Sequence, residues 1–266
     1  MLPFKSTRLP HYLFLSSMIA STGCGSDDND SSNTVSNEPL TLNILHINDH
    51  HSHVEQETQT LTIAGKETEF TIGGFARVAA KITERKQNLD NVLTLHAGDA
   101  ITGTLYFSSF EGTADADLMN MVCFDAFALG NHEFDRGDEG LKYFLDALNE
   151  GNCNTPVLAA NVRPAIGTPL APEQADDYIQ PYVIKEVNNQ KVGIIGIDIA
   201  NKTKGSSSPL ATTEFFDEQE TAQAVIDELQ EQGINKIIVL SHYQYANEVN
   251  LAKNLRGVDV IVGGDS

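Results

Sequence analysis

Basic residues are scarce in this chain: 17 Lys and Arg stand against 37 Asp and Glu, a formal net charge of −20. That balance excludes the basic stripe through which proteins hold nucleic acid or an anionic membrane surface. It also means that a phosphate-bearing substrate needs a bound cation to offset the acidic background. Cysteine is nearly absent, with three in 266 residues and no Cys-x-x-Cys, which removes the zinc-finger and thioredoxin readings. No apolar run has the length of a confident membrane span, and no internal repeat is visible. With 41% hydrophobic residues the chain can still build a substantial core, as one large domain or two small ones.

The N-terminal segment stands apart from that core. Lys5 and Arg8 precede a mostly apolar stretch, Tyr12 to Ala20, and small residues then lead to Ser21-Thr22-Gly23-Cys24. These are the three parts of a secretory signal. Gly-Cys at the end resembles a bacterial lipoprotein processing site, although Ser21 stands where such sites usually carry Leu. Residues 1–23 are therefore expected to be a signal peptide of lipoprotein type, with Cys24 the lipidated first residue. Ordinary cleavage nearby and a retained anchor are the alternatives. Residues 24–39 are polar, acidic and too poor in apolar side chains to fold, and are expected to form a flexible tether. A single domain is expected over residues 40–266, in a protein exported to the periplasm or cell surface. Export admits disulfides. Cys123 and Cys153 flank a helix-like stretch and are candidates to pair, the alternative being a buried thiol at Cys123.

Within the domain one pattern appears five times: an apolar run, then metal-type ligands where it stops. Leu42 to Ile47 ends in Asn48-Asp49-His50-His51-Ser52-His53, and Val92 to His96 ends in Ala97-Gly98-Asp99. Ala126 to Leu129 breaks at Gly130 into Asn131-His132-Glu133-Phe134-Asp135. Ile237 to Leu240 ends in Ser241-His242, and Val258 to Val262 in Gly263-Gly264-Asp265-Ser266. Short β-branched runs bounded by Gly and Asp read as interior strands. Helical stretches lie between them: Phe75 to Gln87, Ala116 to Val122, Glu139 to Asn149, Gln219 to Gln232 and Ala246 to Leu255. Pro156 to Val162 adds a strand, and Tyr182–Val187 with Lys191–Ile199 reads as a hairpin. Strands alternating with helices make an α/β domain. Arg163 to Tyr178 and Lys202 to Thr213 read as surface excursions without chemistry.

Carboxylate, imidazole and amide oxygen suit hard or borderline divalent cations, and the five strand ends supply Asp49, His51, Asp99, Asn131, His242 and Asp265. Taken singly, none is decisive. Gly130 to Asp135 fits an Asx turn before a capped helix equally well, and a lone His242 is more often structural. Alternation along an extended segment would put Asp49 and His51 on one side, with His50 and His53 not necessarily beside them. His46 and His96, inside strands, read as core residues or as supports behind the ligands. Five coincidences of strand end and ligand are harder to attribute to chance. Asp99, alone after a glycine, is the natural carboxylate to be shared between two cations.

Taken together, Asn48-Asp49-His50-His51, Gly98-Asp99, Gly130-Asn131-His132-Glu133, Ser241-His242 and Gly263-Gly264-Asp265-Ser266 resemble the motifs of calcineurin-like metallophosphoesterases, and within them the N-terminal catalytic domain of secreted 5′-nucleotidases. The resemblance runs from about Leu42 to Ser266. It implies an αββα sandwich, two mixed β-sheets flanked by helices, and two divalent metal ions drawn from Zn, Mn, Co or Mg. It implies that Asp49 and His51 bind the first ion, that Asp99 bridges, and that Asn131 and His242 bind the second. Asp265 stands where the family usually has a ligand His. His132 would sit by the scissile phosphate with Asp135 orienting its ring, and metal-bound hydroxide would attack a nucleotide or other phosphate ester. The family's next ligand and its C-terminal substrate-binding domain are not in these 266 residues, which read as a fragment. Cyclic nucleotides, sugar nucleotides and a non-catalytic metal-binding lipoprotein are the competing readings.

Overall fold

The structure, a computed structural model, describes residues 38–266. The expected signal peptide, Cys24 and most of the tether lie outside the described residues. Among the described residues no helix is long and apolar enough to cross a membrane.

The chain begins with β1 (Asn43–Ile47), a hairpin of β2 (Gln56–Ile63) and β3 (Lys66–Gly73), α1 (Phe75–Asn88) and β4 (Val92–His96). It continues through α2 (Leu105–Phe110), α3 (Thr113–Val122), β5 (Ala126–Ala128), a 3-10 turn at Asn131–Phe134 and α4 (Gly137–Glu150). Then come β6 (Val157–Leu158), β7 (Val162–Pro164), β8 (Tyr182–Val187), β9 (Gln190–Asp198) and α5 (Ala200–Ser206). The last elements are β10 (Thr213–Phe215), α6 (Glu218–Glu231), β11 (Ile237–His242), α7 (Tyr245–Asn254) and β12 (Val260–Gly264).

Two four-stranded sheets form the centre, in the orders β1-β4-β5-β6 and β12-β11-β9-β8. The αββα expectation holds, with one difference of detail. Every pairing in the first sheet is parallel, because helices carry the chain back between successive strands, and only the second sheet is mixed. Its antiparallel member comes from the β8–β9 hairpin, where Asn188 and Asn189 take positive φ and Val187 already pairs with Gln190.

Period-two burial explains the layers. Leu93 and Leu95 of β4 and Ala126 and Ala128 of β5 face the second sheet, where Val192, Ile194, Ile238 and Leu240 meet them. Phe127, between the two alanines, turns outward into the layer of α1, α3 and α4 with Ile82, Met119, Leu141 and Phe144. On the far side Ile195, Ile197 and Val239 pack under α6 and α7 with Ile226, Leu229 and Leu251. Full burial of each such aliphatic or aromatic side chain contributes about 1.5–3 kcal/mol. The sheets approach closely because small residues line their contact; a Cβ on Gly196 would fall 2.4 Å from the Leu158 backbone. Cys123, just after α3, is disulfide-bonded to Cys153, just after α4, which ties two helices of one layer together.

Two expectations are corrected here. Arg163–Tyr178 is mostly irregular, but Lys202–Thr213 is not a featureless excursion: its first residues belong to helix α5, which follows β9 directly. The β2–β3 hairpin was not expected at all. Its residues are almost wholly exposed, so they carry no buried stripe from which periodicity could reveal them.

Candidate metal centre

The carboxyl ends of β1, β4, β5, β11 and β12 converge, as ligand sites in open α/β sheets require. Oxygen and nitrogen ligand atoms of Asp49, Asp99, His242 and Asp265 lie within 4.8 Å of one another, as do those of His51, Asp99 and His132. Asp99 belongs to both groups. Its Oδ2 is 3.0 Å from His242 Nε2 and 3.7 Å from His51 Nε2, and His51 Nε2 is 3.8 Å from Asp49 Oδ1. Asp99 is 1% exposed and His242 fully buried.

The backbone at this convergence is unusual. Asp49, His51, Asp99 and Asp265 all have positive φ, between 45° and 62°. Non-glycine residues in that region are uncommon and cluster at functional sites. The extended alternation expected for residues 49–51 is therefore not how Asp49 and His51 meet. A tight turn brings them together while His50 points away, and the turn is sewn to the β4 loop by Asp49 N–H to Gly98 O (2.9 Å) and His51 N–H to Asp99 O (3.1 Å). Glycine is required where these loops touch. A Cβ on Gly130 would lie 2.3 Å from Asp99 Oδ1, and one on Gly98, whose φ is +91°, 2.6 Å from His242 Nδ1.

Hydrogen bonds and burial aim the donor atoms at the site. His242 Nδ1 donates to the Ala97 carbonyl at 2.8 Å, which leaves Nε2 aimed at the site. Burial holds the His51 pKa below its ordinary value, so that ring keeps a free lone pair at neutral pH. Burial would raise Asp99, but His242 and the His132 amide more than reverse this and keep its carboxyl ionised. Of eight buried side-chain polar atoms without a hydrogen bond among the described residues, four are here: both amide atoms of Asn131, His242 Nε2 and Asp265 Oδ2. Of these, His242 Nε2 still faces the Asp99 carboxylate at 3.0 Å, so it is the least isolated of the four. Orphaned buried atoms are costly, and this mixed set of carboxylate, imidazole and amide fits a hard or borderline divalent cation.

Beside the ligands, His132 Nδ1 pairs with Asp135 Oδ2 at 2.7 Å, and the other Asp135 oxygen accepts from Ser207 Oγ at 2.8 Å. Sequence reasoning missed four supporting groups. The single Ser207 hydroxyl proton lies between the Asp135 carboxylate and the Asn131 carbonyl, which is 2.7 Å away. Lys202, on α5, is ion-paired with Asp265 Oδ1, so this candidate ligand carries its own counter-cation. Asp198, at the end of β9 in register with His242, has one oxygen bonded to Thr203 and the other without a partner. Glu133, 1% exposed, accepts from four backbone amides: Gly130 (2.7 Å), Asp99 (2.9 Å), Ala100 (2.7 Å) and Ile101 (3.4 Å). An acid inside a run of buried residues after a glycine was the available signal for Glu133. Nothing in the sequence marked the other three, which come from the stretch after β9 and from its last residue.

Glu133→Gln should be destabilising. Whichever way its amide is oriented, the new NH₂ faces at least one backbone N–H, and each buried donor so orphaned costs about 1–3 kcal/mol. Denaturant melts that coincide with the parent's would remove this role.

Proton linkage gives a second expectation. Burial, with the Asp99 charge, pushes Glu133 up to about 7, and burial pushes Asp198 up to about 8. Burial would lower His242, but Asp99 and the Ala97 carbonyl raise it to about 9. Between about pH 6.5 and pH 9 the folded protein in chelator thus binds more protons than the unfolded chain, so its stability falls as pH rises. Melting temperatures in EDTA should drop across this range, and Mn²⁺, which replaces the His242 proton, should flatten the slope. A rising melting temperature in EDTA would contradict the assignment.

The calcineurin-like phosphoesterase profile matches residues 42–266. The chain belongs to the calcineurin-like phosphoesterase family. Among its relatives, the NAD 5′-nucleotidase of Haemophilus influenzae is 47% identical over 225 residues, a span covering 85% of this chain and 36% of that protein. A probable 5′-nucleotidase of Treponema pallidum is 45% identical, again over 85% of this chain and 36% of the relative. This calcineurin-like phosphoesterase chain therefore spans little more than a third of either relative's length. In structure it is similar to the Haemophilus influenzae NAD nucleotidase, with a TM-score of 0.79 over 85% of this chain and 43% of that one. It is also similar to a 5′-nucleotidase precursor from Thermus thermophilus, at 39% identity and a TM-score of 0.74, over 85% and 41% of the two chains.

Proposed function

We propose that this calcineurin-like phosphoesterase domain hydrolyses phosphate monoesters of nucleotides with two divalent cations held at its strand ends. The observation that carries the reading is the membership of Asp99 in both donor groups, since one carboxylate shared between cations is the arrangement of two-metal hydrolases. Asp49 and His51, whose ligand atoms lie 3.8 Å apart, would hold one cation with Asp99, Asp49 also standing within reach of His242 and Asp265; Asn131, His242 and Asp265 would hold the other with Asp99. Bound there, the cations supply Lewis acidity and an activated water near neutral pH. The chain's own residues do the rest. Gly98 and Gly130 let the ligand loops close on one point. Asp135 fixes His132 through Nδ1, so that Nε2 is free to face the substrate and to stabilise or protonate the departing oxygen.

Residues 40–266 act as the catalytic domain in this reading, and recognition of the nucleoside belongs to sequence beyond them, in keeping with the share of each relative that the chain covers. Export through residues 1–23, with a lipid at Cys24 and a tether over residues 24–39, completes the proposal. The experiment is hydrolysis of p-nitrophenyl phosphate, AMP and NAD by the chain with EDTA, Mn²⁺, Co²⁺ or Zn²⁺. Cation-dependent release of nitrophenol, of phosphate from AMP, or of the two mononucleotides from NAD supports a phosphoesterase. Cation binding without turnover supports the metal-binding lipoprotein instead. NAD is included because a 47%-identical relative is named for it.

A further inference from the structure

Asp115 lies in the first turn of α3, fully buried in the layer of apolar side chains that includes Ala116 and Met119. A carboxylate there is expensive unless each oxygen is satisfied. Both are, and both by the turn that carries Asp49 and His51: Ser52 Oγ donates at 2.7 Å, and His50 Nε2 lies at 3.1 Å. The contacts go on from the other side of the same ring. His50 Nδ1 is 2.9 Å from His96 Nε2, and His96 Nδ1 is 3.2 Å from the amide of Gly98, next to Asp99.

The direction of this chain is fixed by one group that has no choice. A backbone amide only donates, so His96 Nδ1 must accept. Burial keeps the His96 ring neutral, so its single proton is on Nε2 and is donated to His50 Nδ1. His50 then carries its own proton on Nε2, aimed at the Asp115 carboxylate. Reversing any link would set the Gly98 N–H against a second N–H. The rings are also held by their edges, His50 against Phe75 and His96 between Phe124 and Phe127, with centroids 5.0 to 5.3 Å apart.

We propose that Asp115 is a positioning residue of the metal centre, acting through His50 and His96 to lock the Asp49–His51 turn against the Gly98–Asp99 turn. The inference rests on the reading of these turns as ligand loops. Asp115 touches no ligand atom. Its effect is to add a further tie, through side chains, to two loops whose ligand residues sit at positive φ and whose backbones are already hydrogen-bonded to each other.

The test compares Asp115→Leu, which removes both acceptor oxygens while keeping the same branching, with Asp115→Asn, which keeps one for His50 while the Ser52 hydroxyl rotates to accept. Mn²⁺ affinity is read by calorimetry, and histidine tautomers by side-chain ¹⁵N spectra of the protein in EDTA. The Leu variant should bind Mn²⁺ about 10–100-fold more weakly, and the Asn variant should restore the affinity to within about threefold of the parent. His50 and His96 of the parent should both carry their proton on Nε2. A Leu variant with the parent's affinity overturns the proposal. If that variant does not fold, the parent's tautomers still decide, since an Nδ1 proton on either ring overturns it too. A parent that binds no Mn²⁺ at all overturns the metal centre itself, and this inference with it.

Discussion

Asp99→Ala is expected to abolish cation-dependent turnover and to leave the dialysed protein with almost no bound divalent metal. The Asp99 carboxylate lies within 4 Å of the His51 and His242 rings, while its second oxygen accepts the His132 amide at 2.9 Å. The change therefore removes the one anion common to both donor groups and loosens the turn before His132 as well. Asp99→Asn separates these effects, because the Asn carbonyl can still accept from His132 while the charge is gone. Elemental analysis after dialysis against Mn²⁺ buffer and p-nitrophenyl phosphate rates measure both consequences. An Ala variant that keeps its metal and its rate would remove Asp99 as the bridge.

His132→Ala is expected to keep the metal and lose rate by about 10²–10⁴-fold, the range for a lost acid–base group. The ring is a third exposed, unlike the buried His242, and its Nδ1 is occupied by Asp135, so the available atom is Nε2 on the open side. His132 also lies in the donor group with His51 and Asp99, with ring centroids of the two histidines 5.0 Å apart. Metal content therefore decides between ligand and acid. If the variant loses metal in parallel with rate, His132 is a ligand. If it acts as the acid, AMP hydrolysis should suffer more than that of p-nitrophenyl phosphate, whose leaving group hardly needs a proton.

The strands and their ends were legible because burial on both faces leaves short apolar runs, and because Gly130, Gly98 and Gly264 mark where backbones touch. The convergence of Asp49, His51, Asp99, His242 and Asp265 was readable as recurrence. What the sequence hid was geometry and support. The left-handed turn at Asp49 and His51 looks like any polar loop in letters. Lys202 and Ser207 reach the site only because α5 folds back against the 3-10 turn at Asn131–Phe134, a long-range contact with no local pattern. Glu133 was visible as part of Gly-Asn-His-Glu, but its task of gathering four amides depends on where the Asp99 loop passes. The β2–β3 hairpin, exposed along nearly its whole length, gave composition no reason to pick it out.

The most direct test is anomalous diffraction at the manganese edge from crystals grown with Mn²⁺. Two peaks roughly 3.5–4 Å apart, with Asp99 in contact with both and His51 and His242 on opposite sides, are the predicted result. A single peak, or two that do not share Asp99, would contradict it.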